Sequence, residues 1–259
     1  MENPLRLQLD LDLAQGYKSP SQRARRITEG WFQRNMYCPA CPSGTLRQTS
    51  DNTRVVDFVC PSCEAEYQLK AKAGHLGRRL RDAAYEPMMA RALESRSPHF
   101  AFLSYDRAGL AVSSLLLVPG HFIVPSVIER CKPLSDSARR AGWVGCNILP
   151  DRIPDDGRLL AVSDGTAVPP NKVRQDWQRF TWTKDLKAEE TGWLFDVLRC
   201  VRSFDGREFT LNQMYAFEQE LGALHPSNRH VTDKIRQQLQ LLRDRGIIRF
   251  LDRGRYVAI

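Results

Sequence analysis

The residue pattern predicts an α/β (α+β) fold in two parts: a mixed sheet flanked by helices, then a small three-helix unit closed by a β-hairpin. Three observations predict it. Two C-x-x-C knuckles, Cys38–Cys41 and Cys60–Cys63, stand eighteen residues apart within a hairpin-like pattern. Strand-like apolar runs recur between residues 100 and 162. From residue 191 onward, helical apolar spacing recurs before two short strands that flank Gly254. The boundary falls near residue 184, giving parts 1–183 and 184–259.

The first helix runs from about Pro20 to Arg34 and carries Glu29 on a face with Gln22, Arg25, Arg26 and Gln33. The hairpin arms are Arg54 to Val59 and Ala65 to Lys72, and both have the alternation of a half-buried strand. Helical spacing is expected over Leu76 to Ala92, and strands over Phe100 to Tyr105, Leu115 to Val118, Phe122 to Val124 and Arg158 to Val162. Ser163 to Glu190, with Trp177, Phe180 and Trp182, reads as a connector packed on one domain. Next come a helix at Thr191 to Arg202, a second beginning at Phe209-Thr210, and a third from Val231 to Arg245 after a Ser227/Asn228 cap. The strands Ile247 to Phe250 and Arg255 to Ala258 complete a winged-helix order.

Lys and Arg outnumber Asp and Glu by 38 to 30, a net charge of +8, which makes nucleic acid the first partner to test and an anionic membrane surface the second. The apolar run Leu110 to Phe122 is too short to span a bilayer, and the acidic N-terminal stretch does not resemble a secretion signal. A cytoplasmic, membrane-free and monomeric protein is expected. In a reducing compartment the paired knuckles read as a four-thiolate Zn²⁺ site. With Cys38, Cys41, Cys60 and Cys63 filling all four positions, that zinc is structural. Cys131, Cys146 and Cys200 read as core residues.

Along the second arm, Glu66, Gln68, Lys70 and Lys72 share one face, and Tyr67, Leu69 and Ala71 the other. Asp57, on the antiparallel partner, falls opposite or diagonal to the polar row. An acid, a second oxygen ligand and a lysine can therefore meet, which suits Mg²⁺-dependent phosphodiester hydrolysis. An exposed strand face carrying ordinary charges satisfies the same spacing.

Asp57, ten intervening residues and Gln68-Leu69-Lys70 resemble the D…(D/E/Q)-x-K signature of the PD-(D/E)xK nuclease superfamily. Tyr37-Cys38-Pro-x-Cys41, Val56-Asp57-Phe58-x-Cys60-x-x-Cys63, Ala138 to Ile148, Glu208 to Tyr215 and Lys234 to Asp244 resemble the DpnI-like methyl-directed restriction endonucleases. The resemblance runs from about residue 17 to 258. It implies a zinc-containing nuclease domain followed by a winged helix, and a type II site-specific deoxyribonuclease that uses Mg²⁺ to cut double-stranded GATC carrying N6-methyladenine. It further implies that Asp57 is the first metal ligand, that Lys70 is the catalytic lysine and that Leu69 lends a backbone carbonyl. Gln68 departs from the pattern, because the family has Glu there. This leaves a working variant with a weaker ion, a migrated ligand such as Glu66, or a binding protein that cuts poorly. In the superfamily an acid from the first helix often joins the metal site, and Glu29 is the candidate.

In a winged helix the third helix enters the major groove, so Thr232, Asp233, Arg236 and Gln237 are base-contact candidates and Arg253 and Arg255 are phosphate contacts. Arg139, Arg140 and Trp143 suit a grip on phosphate with a ring offered to a base. The rival functional readings are a non-cleaving zinc and winged-helix regulator of methylated DNA and a zinc-ribbon RNA-binding factor.

Overall fold

The computed structural model describes residues 5–50, 56–252 and 254–259. Arg54, Val55 and Arg253, assigned above to an arm and a wing, lie outside the described residues. Helix α1 (Pro20–Asn35) starts at a proline, whose missing N–H falls where the helix leaves a donor unpaired, and buries Ile27, Trp31 and Phe32. Strands β1 (Arg47–Gln48), β2 (Phe58–Val59) and β3 (Glu66–Ala73) form a meander. They are followed by β4 (Leu80–Ala84), α2 (Tyr85–Leu93), β5 (His99–Asp106), β6 (Ala111–Val118), β7 (Ile128–Arg130), β8 (Gly145–Ile148), β9 (Leu159–Ser163), β10 (Thr166–Ala167) and α3 (Pro170–Gln178).

The main sheet has the order β1-β2-β3-β5-β6-β9-β10, and β4-β8-β7 form a second, smaller sheet. Among the described residues the β3–β5 pair is the one parallel pair in the main sheet, so β4 and α2 serve as its crossover. This corrects the helix expected over Leu76 to Ala92. Leu76, Leu80, Ala84 and Met88 have helical spacing, but Leu80 and Arg81 instead pair with Ile148 and Asn147 of β8, and the helix begins at Tyr85. The strand expected at Phe122 to Val124 is likewise absent: Phe122 ends the 3₁₀ turn Gly120–Phe122, and Ile123 and Val124 link it to a second turn, Pro125–Val127. Pro119 and Pro125 withhold the ladder donors a strand would need there.

The C-terminal unit comprises α4 (Ala188–Arg202), β11 (Glu208–Thr210), α5 (Leu211–Tyr215), α6 (Glu218–Leu224), α7 (Val231–Asp244), β12 (Ile248–Phe250) and β13 (Arg255–Ala258). Phe209 and Thr210 end a strand rather than open a helix. Thr210 then caps α5, its Oγ1 accepting from the Gln213 amide while Gln213 Oε1 accepts the Thr210 amide, a reciprocal capping box. The stripe Val231, Ile235, Leu239 and Leu242 is buried as its spacing predicts. β11-β13-β12 form the wing sheet, which turns at Gly254 with φ +78°.

The main sheet separates two cores. One face buries Tyr67, Ala101, Leu103, Leu115 and Leu117 under α1 and α3, with half-buried Leu69 packed against them. The other buries Phe100, Phe102, Leu116 and Val118 in a cluster that continues through α2 into Trp193, Leu198, Ile235 and Leu242 of the C-terminal unit. The connector crosses between them, with Trp177 in the first core and Phe180 in the second. A polar tie reinforces this junction. Buried Asp196 of α4 accepts from Ser126 Oγ at 2.9 Å and meets His225 Nε2 at 2.8 Å.

Burial pushes the His99 and His121 imidazoles down to about 3. His99 Nδ1 accepts the Gly120 amide at 2.7 Å, which requires a neutral ring, and neither His121 nitrogen has a hydrogen-bond partner among the described residues. Below the ordinary histidine value of 6.5 the unfolded chain therefore takes up protons first. Stability should fall as pH drops from 6.5 towards 3, by up to about 1.4 kcal/mol per pH unit for each ring. Urea titrations at pH 7 and 5 check this. The decline should be shallower in His121→Leu, and an equal decline would contradict the assignment to this ring.

Candidate active site

The two knuckles sit at the closed end of the β2–β3 hairpin. All four sulfurs lie within 4.8 Å of one another. Cys38 and Cys63 Sγ are 3.7 Å apart, and Cys41 and Cys60 Sγ 3.6 Å. A Zn–S bond of about 2.3 Å gives a tetrahedral edge of about 3.8 Å, so the cluster fits a structural zinc closed by four thiolates. Burial alone would raise the Cys60 thiol, but the Cys63 and Ser62 amides outweigh it and bring the group down to about 6. Two further contacts anchor the cluster. Tyr67 Oη lies 3.1 Å from Cys38 Sγ, and Arg174 of α3 donates to the Cys38 and Cys41 carbonyls at 3.0 Å each.

The same hairpin carries the candidate residues. Phe58 pairs with Tyr67, so Asp57 opposes Gln68, and the two-residue period puts Asp57, Gln68 and Lys70 on one side. Asp57 Oδ2 accepts the Leu69 amide at 2.8 Å, which fixes the carboxylate against β3. Burial pushes the Asp57 carboxyl up from its ordinary value. The Leu69 hydrogen bond and the Lys70 and Arg25 cations oppose that rise, and the Glu29 charge adds to it. Gln68 is buried, and its Oε1 has no hydrogen-bond partner among the described residues. An orphaned buried carbonyl oxygen costs roughly 1–3 kcal/mol and is the donor type a hard cation accepts.

β2 pairs only with the start of β3, so the remainder of that β3 edge, from Leu69 to Ala73, opens into a cavity of about 640 Å³. α1 lines it with Arg25, Thr28 and Glu29. Glu29 is buried, accepting from Arg25 at 2.6 Å and from Gln48 at 3.0 Å. Lys70, Lys72, Arg25, Arg79, Arg81 and Arg107 set six cations against that single lining acid, which suits a polyanion. Glu66, the alternative ligand, is instead drawn to Arg91 of α2 at 3.6 Å. Sequence reasoning missed Asp82 of β4, whose fully buried side chain holds Lys70 Nζ at 2.8 Å. An acid in the midst of an apolar-spaced segment was the available signal.

Trp143 is half-buried rather than freely presented. The Arg140 and Arg81 guanidiniums lie over its ring at 5.2 and 5.9 Å, and Gly145 leaves room for it, since a Cβ there would come within 2.7 Å of the ring. Arg139 and Arg140 are exposed. On α7, Asp233, Arg236 and Gln237 are exposed and Thr232 half-buried. Arg236 is held by the Tyr215 hydroxyl and lies 3.6 Å from Asp233. Arg255 is engaged by Glu208 and Asp252, so its charge is partly offset.

Among the described residues, no helix is long and apolar enough to cross a membrane. A model of the DpnI Dam-replacing family matches residues 5–186, and a model of the Dam-replacing HTH domain matches residues 189–258. Those matches support a restriction enzyme whose action depends on DNA methylation, with a helix-turn-helix unit for DNA binding. With the zinc-fitting cluster and the cationic cavity beside it, the sequence and the structure agree that this chain belongs to the DpnI, Dam-replacing family.

Proposed function

We propose that the chain is a Mg²⁺-dependent type II endonuclease that cuts double-stranded DNA at GATC carrying N6-methyladenine. In this reading residues 1–183 are the PD-(D/E)xK nuclease domain and 184–259 the winged helix. The observation that carries it is the placing of Asp57, the orphaned Gln68 oxygen and Lys70 on one side of the β2–β3 hairpin, where Lys70 lines a cationic cavity along the open β3 edge. Asp57, Gln68 and the Leu69 carbonyl would hold Mg²⁺. The ion, when bound, activates water towards phosphorus and offsets phosphate charge. The Leu69 amide keeps the Asp57 carboxylate turned to the site, and the Lys70 ammonium faces the negative charge that builds on the phosphate. In-line attack by water leaves a 3′ hydroxyl and a 5′ phosphate. Gln68 donates a lone pair without a charge, so the site should need more Mg²⁺ than one built with Glu.

Arg139, Arg140 and Trp143 would grip the duplex beside the cavity, while Thr232, Asp233, Arg236 and Gln237 read base edges and Arg253 and Arg255 meet phosphates. Arg236→Ala should weaken binding to the methylated site about 10-fold, the scale of one base contact of ~1–3 kcal/mol, and fluorescence anisotropy measures it. The function itself is tested with plasmid prepared with and without adenine methylation. Mg²⁺-dependent cutting confined to the methylated form is expected. Tight binding to methylated DNA with no cutting would identify a non-cleaving regulator instead.

A further inference from the structure

Asp82 lies behind Lys70, outside the group that faces the cavity. Its side chain is fully buried, whereas that of Lys70 is 27% exposed and lines the cavity. The ammonium therefore bridges a buried acid and an open pocket. At 2.8 Å the contact is a close ion pair to Oδ1 that does not meet hydrogen-bond geometry, and the other polar contact to this carboxylate among the described residues is the Cys146 thiol at 3.9 Å.

The backbone is built to make this contact. In the β4–β8 pair Arg81 opposes Asn147 and Ala84 opposes Gly145, so Asp82 and Ala83 together face Cys146 alone. That two-against-one arrangement is a β-bulge, a device that re-aims a side chain at the expense of regular pairing. Cys146 Sγ reaches the Ala83 carbonyl at 3.5 Å and so supports the bulge from the facing strand. Burial alternates regularly from Leu80 through Arg81 to Asp82, so Asp82 shares the buried face with Leu80, and the pairing becomes irregular just beyond it.

We propose that Asp82 is a positioning residue for the hydrolytic reaction: it tethers Lys70 Nζ at the β3 edge so that one freely rotating ammonium becomes a fixed charge beside the scissile phosphate. The inference rests on the nuclease reading of Asp57, Gln68 and Lys70. A lysine has four rotatable side-chain torsions, and an untethered ammonium would spread over many positions, most of them useless to a phosphate held elsewhere. Asp82 touches neither substrate nor metal. Its effect should therefore appear in the rate of the bound complex and not in DNA affinity or Mg²⁺ demand.

The test uses the full chain and single-turnover cleavage of a methylated duplex, with anisotropy for binding. Asp82→Asn should lower the maximal rate 30–100-fold, leaving the DNA Kd and the Mg²⁺ half-saturation within 2-fold. Asp82→Glu, which keeps the charge and displaces it by one methylene, should retain a rate within about 10-fold of the parent but measurably below it. A general loss of packing would instead raise the Mg²⁺ requirement and weaken binding together, and that pattern overturns the proposal. So does a parent-like rate in Asp82→Asn. If Asp82→Asn fails to fold, Asp82→Glu carries the test, and a parent-like rate there overturns it. Thermal melts add an independent reading of the pair: Lys70→Met should melt below the parent and Lys70→Met/Asp82→Asn should recover part of the loss, whereas no recovery would contradict the coupling. A parent that cuts while Asp82→Asn cuts equally well defeats this inference alone. A parent that cuts no methylated DNA defeats the nuclease reading and this inference with it.

Discussion

Cys60→Ser should cost the protein its zinc, its fold around the hairpin and its cutting activity together. Structural zinc contributes roughly 10–16 kcal/mol in small zinc-binding peptides, as much as or more than the ~5–15 kcal/mol net stability of a typical domain. Nothing else among the described contacts could replace it. The Cys60 and Cys63 knuckle is the turn between Asp57 and Gln68, and Tyr67 links Cys38 Sγ to the strand one residue before Gln68. Losing the ion therefore releases both arms that bring the candidate residues together. Metal analysis should give one zinc per parent chain and well under half in the variant. The melting temperature should fall by at least 10 °C. A variant that retains the parent's melting temperature and activity without zinc would contradict the role assigned to the cluster.

Asp57→Ala and Lys70→Ala should each lower methylated-plasmid cleavage by about 10³-fold or more, equivalent to about 4 kcal/mol of transition-state stabilisation. DNA binding should change only a few-fold, because at least five of the six cavity cations and the C-terminal unit remain. The two variants should differ in stability. Lys70→Ala leaves the buried Asp82 carboxylate without its partner, a situation that costs about 3–5 kcal/mol where measured, so it should melt well below the parent. Asp57→Ala removes a carboxyl whose ionised form burial disfavours, at the expense of the Leu69 hydrogen bond, and should melt close to the parent. Equal melting of the two would argue against the Asp82 contact.

The hairpin and its thiolate cluster were legible because short-range rules govern them. Knuckle spacing fixes the thiolate cluster, and strand alternation fixes which of residues 66 to 72 share a face. The helix stripe on α7 was legible for the same reason. Leu76 to Ala92 was not, because helical and strand spacing coincide over Leu80 and Ala84 and the choice was made by pairing with β8, some sixty residues downstream. Asp82 was hidden for that reason, because its burial beside Leu80 follows from the strand that pairing with β8 creates. Trp143 was legible as a functional candidate but not as a half-buried ring under two guanidiniums, because Arg81 reaches it from another strand. Nor did the sequence reveal that the C-terminal helices share a core with one face of the main sheet, a fact set by Phe195 meeting Phe122 and Phe180 across the chain.

The most direct test concerns residue 68. Gln68→Glu and the parent are compared for cleavage of methylated DNA across a Mg²⁺ titration at constant ionic strength. If the amide oxygen is a metal ligand, adding a full charge at that atom should lower the Mg²⁺ half-saturation at least 5-fold while methyl dependence persists. Identical titration curves for the two proteins would place the metal elsewhere and contradict the site described here.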